Sequence, residues 1–226
     1  MTPAAICFDL DGTLVDSERV HWRAYRAVLM TFGFDIDLEE YRHRFIAHGG
    51  GSEWACERWA LPIDAAELRA RKAVVYHDLI AAGVPPMPGA RTCIERLYGT
   101  RPLAVVTNST RDEADVLLAS LGVTSLFDEL VTRERYVAAK PAPDAYLAAS
   151  SVLKRTPAGC IAVEDTPRGV QAARAAGLRA IAVPGDLMAD QEFPGATRRI
   201  ETLESLTPDF LDALDLAPSA PIPGGG

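Results

Sequence analysis

The chain has 226 residues and a formal net charge of −8, with 48% hydrophobic and 24% charged residues. That length and balance fit a globular protein with one sizeable core, or a core carrying an insert, and exclude a disordered or low-complexity chain. The acidic charge argues against nucleic acid and anionic membrane as partners, and no apolar run reaches the roughly 18 residues a bilayer span needs.

The opening MTPAAICFDL has no basic stretch and enters a strand at once, so no signal peptide is expected and a cytoplasmic setting is. Cys7, Cys56, Cys93 and Cys160 are widely spaced, with no CxxC pair, which fits reduced thiols better than disulfides or a zinc site. The first strand is predicted over 4–8, and the acidic pair Asp9 and Asp11 follows it. Residues 17–32 form a predicted helix with Val20, Ala24, Ala27 and Val28 on one face and Gly33 after it. A second helix is predicted over 64–82, with Asp64 and Glu67 at capping-box spacing. No convincing strand lies between the two. Residues 17–86 therefore read as a small all-helical cap, inserted after the first strand and closed by GVPPMPGA. All four histidines (21, 43, 48 and 77) and all three tryptophans (22, 54 and 59) fall in it. Packing of a small bundle accounts for this, and so does a lid facing a site.

Beyond the insert, apolar runs at 103–106, 160–163 and 179–183 read as strands, with 127–131 a weaker candidate. Runs apolar at nearly every position indicate strands buried on both faces, as in a parallel sheet. Helices are predicted between them over 111–121, where Val116, Leu117 and Leu121 share a face and Gly122 stops the helix, and over 143–153. A further helix is signed by EDTPRGVQAARAAG: Thr166 can cap it, Pro167 takes its first position and Gly177 ends it. Strand and helix alternate, so the fold class is α/β, a doubly wound parallel (Rossmann-like) sheet. The expected domains are a core of residues 1–16 and 87–215, the helical cap at 17–86, and a Pro/Gly-rich flexible tail at 216–226.

Ligands of open α/β sheets bind beyond the carboxyl ends of the strands. There the sequence places Asp9 and Asp11, Thr107 and Asn108, and Glu164 and Asp165, with Lys140 in KPAPD nearby. Each has a plain reading alone: Asp11-Gly12 as a turn, Thr107 or Asp165 as a helix cap, Lys140 as a solvated lysine. Against the last, the chain has 3 lysines among 23 basic residues, and an ammonium is not interchangeable with a guanidinium. Four carboxylates converging on one sheet edge would repel, and a cation with hard oxygen ligands, Mg²⁺, removes the repulsion. Metal, hydroxyl and lysine together suit a phosphoryl group. One acid can attack phosphorus while a second, two residues on and on the same side of an extended chain, handles the proton.

These residues resemble the haloacid dehalogenase-like superfamily of aspartyl-phosphate phosphotransferases. FDLDGTLVDSE is similar to its first motif, VVTNST to its second, Lys140 in KPAPDAYLAA to its third and VEDTPRGVQAARAAG to its fourth. The resemblance runs from Ile6 to about Val183, and the helical insert resembles the cap of the branch holding β-phosphoglucomutase and phosphoglycolate phosphatase. It implies Asp9 as nucleophile and Mg²⁺ ligand. It implies Asp11 as general acid/base, with its backbone carbonyl a second ligand. Thr107 and Lys140 would hold the phosphoryl group, Asn108 would contact phosphate or substrate, and Asp165 would complete the metal site, with Glu164 a ligand or just behind the ligands. Dehalogenation is not expected, since that branch lacks the second aspartate. The cap stretch RHRFIAHGGGSEWA offers Arg42, Arg44 and His48, of which Arg44 and His48 are the expected substrate contacts, but Ser52 and Glu53 stand where the mutases place a basic residue. The expected activity is therefore a Mg²⁺-dependent phosphatase of a small phosphorylated metabolite, a sugar phosphate or phosphoglycolate-like acid, acting as a monomer. A β-phosphoglucomutase-like phosphomutase is the alternative. A receiver-type phospho-switch fits less well, being about half this length and without an insert.

Overall fold

The computed structural model describes residues 3–47 and 50–216. The chain forms two compact units, one of the residues through Val15 and from Pro86 onward, the other Asp16–Pro85. The first unit begins with β1 (Ala5–Phe8), whose four residues are all buried. After it the backbone turns: Gly12, with φ +76°, donates its N–H to the Val15 carbonyl at 2.8 Å. Val15 bridges to Pro86, and the Met87 N–H donates to the Leu14 carbonyl at 2.9 Å.

The second unit holds α1 (Glu18–Met30), α2 (Leu38–Tyr41), a π-helical stretch Arg42–Ala47, α3 (Ser52–Trp59) and α4 (Ala65–Ala81). Among its described residues there is no strand. Helices α1 and α4 pack together, and Asp64 caps α4 by accepting from the Glu67 N–H at 2.8 Å. The buried stripe of α1 is Val20, Ala24, Val28 and Leu29; Ala27, expected on it, is exposed. Helices α2 and α3, of four and eight residues, are too short to show the periodicity that betrays the longer two. Val28, Leu29, Ile36, Tyr41, Phe45, Ala55 and Leu68 form the core of this unit, and all three tryptophans pack against it. The tryptophans thus do packing work. His21 is built into the same unit, its ring stacked on Tyr76 at 4.1 Å and its Nδ1 2.6 Å from Lys72 Nζ. His43 and His77 are exposed.

The first unit resumes with α5 (Ala90–Leu97), β2 (Leu103–Val106), α6 (Arg111–Leu121), β3 (Glu129–Val131), α7 (Asp144–Val152), β4 (Cys160–Glu164), α8 (Pro167–Ala175), β5 (Arg179–Ala182), β6 (Arg198–Arg199) and α9 (Pro208–Leu216). The six strands form one sheet in the order β3-β2-β1-β4-β5-β6, every pair parallel. The two faces differ in side-chain size. Ala5, Cys7, Ala104, Cys160, Ala162, Ala180 and Ala182 line one face, and small residues of α7 and α8 (Ala145, Ala149, Ala172, Ala173) pack on it. The alternate positions, Ile6, Phe8, Leu103, Val105, Ile161, Val163 and Ile181, are large and also buried. A small-residue face lets helices approach the sheet closely, while the large side chains fill the other layer. Cys7 and Cys160 are free, buried and simply part of this packing.

Helix α6 buries Ala114, Leu117, Leu118 and Leu121, whereas Val116, expected with them, is 38% exposed. Strand β6 is two exposed arginines with no apolar signal, a strand only by pairing with β5. No described helix is long and apolar enough to cross a membrane. Residues 217–226 of the expected tail, and His48 of the cap, lie outside the described residues.

Candidate active site

The strand order reverses direction at the β1/β4 boundary, where an open α/β sheet offers its crevice. Phe8 is in register with Val163, and the Asp9 N–H donates to the Val163 carbonyl at 2.9 Å. Asp9 is thereby held beside the end of β4, where Glu164 is its last residue and Asp165 follows. All three acids are buried, and one oxygen from each lies within 4.8 Å of the others.

Lys140, in the segment between β3 and α7, reaches into this group and is 7% exposed. Its Nζ donates to Asp9 Oδ1 at 2.6 Å, Glu164 Oε1 at 2.7 Å and the Val106 carbonyl at 2.7 Å. Three N–H groups meet three acceptors around one point, which a planar guanidinium could not do. Burial works against the ammonium, but Asp9 and Glu164 outweigh it and hold its pKa above the usual value. Burial pushes the Asp9 carboxyl up; Lys140 pulls it down, and Glu164 and Asp11 push it up again. Tyr146 lies underneath, fully buried, donating to Glu164 Oε1, with its ring centroid 4.8 Å from Lys140 Nζ.

Asp11 departs from expectation. Three of the four acids form the cluster, and the Asp11 carboxylate is engaged elsewhere. Its Oδ2 accepts from Thr107 Oγ1 at 3.1 Å and from Ser109 Oγ at 2.6 Å, on the β2 side. Thr107 is fully buried and in turn accepts from the Ser109 N–H at 2.9 Å. Neither Thr107 nor Asp165 is a helix cap. Thr110 caps α6 with a capping box, and Thr166 caps α8. Gly12 is required twice over: its φ is positive, and a Cβ there would run into the Asp165 carboxylate. Thr13 donates to Asp165 Oδ1 at 3.2 Å. Asn108 is exposed, its Oδ1 accepting from the Tyr136 hydroxyl at 2.8 Å and the Lys140 N–H at 3.2 Å.

Of the cap residues, Arg44 is exposed on the π-helical stretch of the other unit, its guanidinium 5.8 Å from the Trp54 ring centroid. Four partners escaped sequence reasoning: Thr13, Ser109, Tyr136 and Tyr146. Thr13 and Ser109 sit inside the quoted motifs and could have been found there. The two tyrosines carry no local signal.

Three buried carboxylates meet one lysine. A single ammonium leaves the cluster negative, and buried uncompensated charge is costly. The donors are all oxygens, so the residues fit a hard divalent cation.

The family described as haloacid dehalogenase-like hydrolase matches residues 3–177. Among curated relatives, the protein CbbY of Rhodobacter capsulatus is 36% identical over 89% of this chain and 94% of its own. The fructose-1-phosphate phosphatase YqaB of Escherichia coli is 33% identical over 80% of this chain and 96% of its own. Among solved structures, a mutant of CbbY from Rhodobacter sphaeroides in complex with xylulose-(1,5)bisphosphate superposes with a TM-score of 0.78 at 29% identity, covering 91% of this chain and 96% of that one.

Proposed function

The chain belongs to the haloacid dehalogenase-like hydrolases, and from that premise we propose that it is a Mg²⁺-dependent phosphatase. Its substrate would be a small sugar phosphate, cleaved through an aspartyl-phosphate intermediate. The observation that carries the reading is the division between the two aspartates: Asp9 is paired with Lys140, while Asp11 is held by two hydroxyls. Two acids so close in sequence, in such different surroundings, suit two different jobs.

In this mechanism an oxygen of Asp9 attacks phosphorus and forms the acyl–phosphate bond as the P–O bond to the sugar breaks. Asp11, protonated, gives its proton to the departing sugar oxygen. Lys140 keeps Asp9 oriented and offers positive charge to the phosphoryl oxygens. Asp11, now ionised, takes a proton from a water that attacks the phosphorus. Inorganic phosphate leaves and both acids are restored. The donors on Asp11 Oδ2 fix the plane of its carboxyl through both steps. Asp9, Glu164, Asp165 and the Asp11 carbonyl would hold Mg²⁺, which when bound supplies further neutralisation of the phosphoryl oxygens. Glu164 also anchors Lys140.

Sugar phosphates are favoured over phosphoglycolate-like acids by the relative named for fructose 1-phosphate and by the bisphosphate bound to CbbY. A phosphomutase has less behind it: Ser52 and Glu53 stand where the mutases place a basic residue, and they are engaged with Tyr25 at 3.1 Å and Arg69 at 2.5 Å. Under this reading the protein works in the cytoplasm as a monomer, a setting that suits its free cysteines. The test is a panel of phosphorylated sugars and acids with Mg²⁺, including fructose 1-phosphate and hexose 1-phosphates with a trace of bisphosphate. Free phosphate from a sugar phosphate, abolished in Asp9→Asn, is the expected result. Isomerised product means a mutase. No turnover across the panel, or an active Asp9→Asn, defeats the reading.

A further inference from the structure

The segment that carries Lys140 is tied to the end of β2 by one tyrosine. The Tyr136 hydroxyl lies 2.8 Å from the Thr107 carbonyl and 2.8 Å from Asn108 Oδ1, so its one proton is shared between two acceptors. The Lys140 N–H donates to the same Oδ1 at 3.2 Å. The donor-only Lys140 N–H identifies that atom as the amide oxygen, because the flipped amide would set its NH₂ against it. The orientation leaves Nδ2 as the end that can donate to a ligand at the carboxyl edge of the sheet. Tyr136 is itself gripped: Arg133 donates to the Tyr136 carbonyl at 2.9 Å and the Val137 carbonyl at 3.0 Å, and its guanidinium lies 5.3 Å from the ring centroid.

We propose that Tyr136 is a positioning residue for the phosphoryl site, holding Asn108 so that its Nδ2 donates to a phosphoryl oxygen and tying it to the backbone of Lys140. The proposal rests on the phosphatase reading above. It assigns Tyr136 no contact with the substrate. The hydroxyl acts through Asn108, and its removal lets the side chain swing between rotamers. The lost share of a hydrogen bond corresponds to roughly a five- to tenfold weaker grip on phosphate.

The test is a double-mutant cycle of Tyr136→Phe and Asn108→Ala. It is read both as kcat/KM on the best sugar phosphate of the panel and as the dissociation constant of inorganic phosphate with Mg²⁺ present. Tyr136→Phe is expected to lose about five- to tenfold in both readouts in the wild-type background and less than about twofold in the Asn108→Ala background. A merely structural role would give the same factor in both backgrounds. That result, or a Tyr136→Phe within twofold of wild type, overturns the proposal while leaving the phosphatase reading intact. A wild type that neither binds phosphate nor hydrolyses any panel member overturns the reading and the proposal with it. Should Tyr136→Phe melt below the assay temperature, Arg133→Met loosens the same ring with its hydroxyl retained. A loss of grip confined to the Asn108 background supports the proposal, and an equal loss in both overturns it.

Discussion

Gly169→Ala sets two effects of opposite sign against each other. Gly169 lies within α8, where alanine stabilises a helix by about 1 kcal/mol relative to glycine. Its φ is not positive, so backbone strain plays no part. A Cβ at this position, however, falls inside the Glu164 carboxylate, overlapping both oxygens and the carbon between them. Glu164 is 1% exposed, and moving it aside releases Lys140 and Tyr146. Breaking a buried ion pair costs about 3–5 kcal/mol, so the net expectation is a destabilisation of about 2–4 kcal/mol. Urea unfolding of the metal-free protein at pH 7 measures it, and kcat/KM should fall at least about tenfold as Lys140 loses an anchor. The same substitution made in a Glu164→Ala background should change sign and stabilise by up to about 1 kcal/mol. A Gly169→Ala protein as stable and active as wild type, or one equally destabilised in both backgrounds, refutes the reasoning.

Asp11→Asn should slow turnover of a sugar phosphate by about 10²–10⁴-fold but that of an aryl phosphate, whose phenol leaves without a proton, much less; equal losses for both would count against its role in proton transfer. Lys140→Met leaves Asp9 and Glu164 buried without their shared cation, so the metal-free protein should lose about 3–5 kcal/mol and millimolar Mg²⁺ should restore part of it. Melting curves with Mg²⁺ and with chelator check this, and curves that coincide would argue against the metal site. Burial pushes the Tyr136 phenol from 10.0 to about 12. Its raised folded value means that its contribution is fully present below about pH 10 and lost as pH rises from about 10 to 12. The stability difference between wild type and Tyr136→Phe should therefore be flat from pH 7 to 9 and shrink above 10, as unfolding at a series of pH values will show.

The sheet was legible because its central strands are buried on both faces: Ile6, Val105 and Ile161 each sit in an unbroken apolar run. The same property made Asp9, Thr107 and Glu164 conspicuous, as the first polar groups after those runs. Lys140 could be picked out because this chain otherwise uses arginine. Asp11 shows where linear reasoning stops. Alternation along an extended chain puts it with Asp9, but the strand ends at Phe8 and the carboxylate finds Thr107 and Ser109 instead. Tyr136 and Tyr146 read as ordinary aromatics, since what defines them is partners 28 and 18 residues away. Strand β6 was invisible for a similar reason: its strand character lies in its neighbour, not in its own two arginines.

The place where the helical segment leaves and rejoins the chain carries its own consequence. Asp16 and Pro85 are bonded to each other at 2.9 Å within that segment, and Val15 and Pro86 bridge within the sheet unit. Both cut points are thus already closed loops on either side. Seventy residues of sequence can be lengthened, replaced or redesigned there without altering the register of a single strand, because no strand registers across the junction. The buried acids and lysine of the sheet unit and the helices of the insert are in that sense carried on separable stretches of one chain. A lineage can keep Asp9, Lys140 and Asp165 in place while exchanging all that lies between Val15 and Pro86.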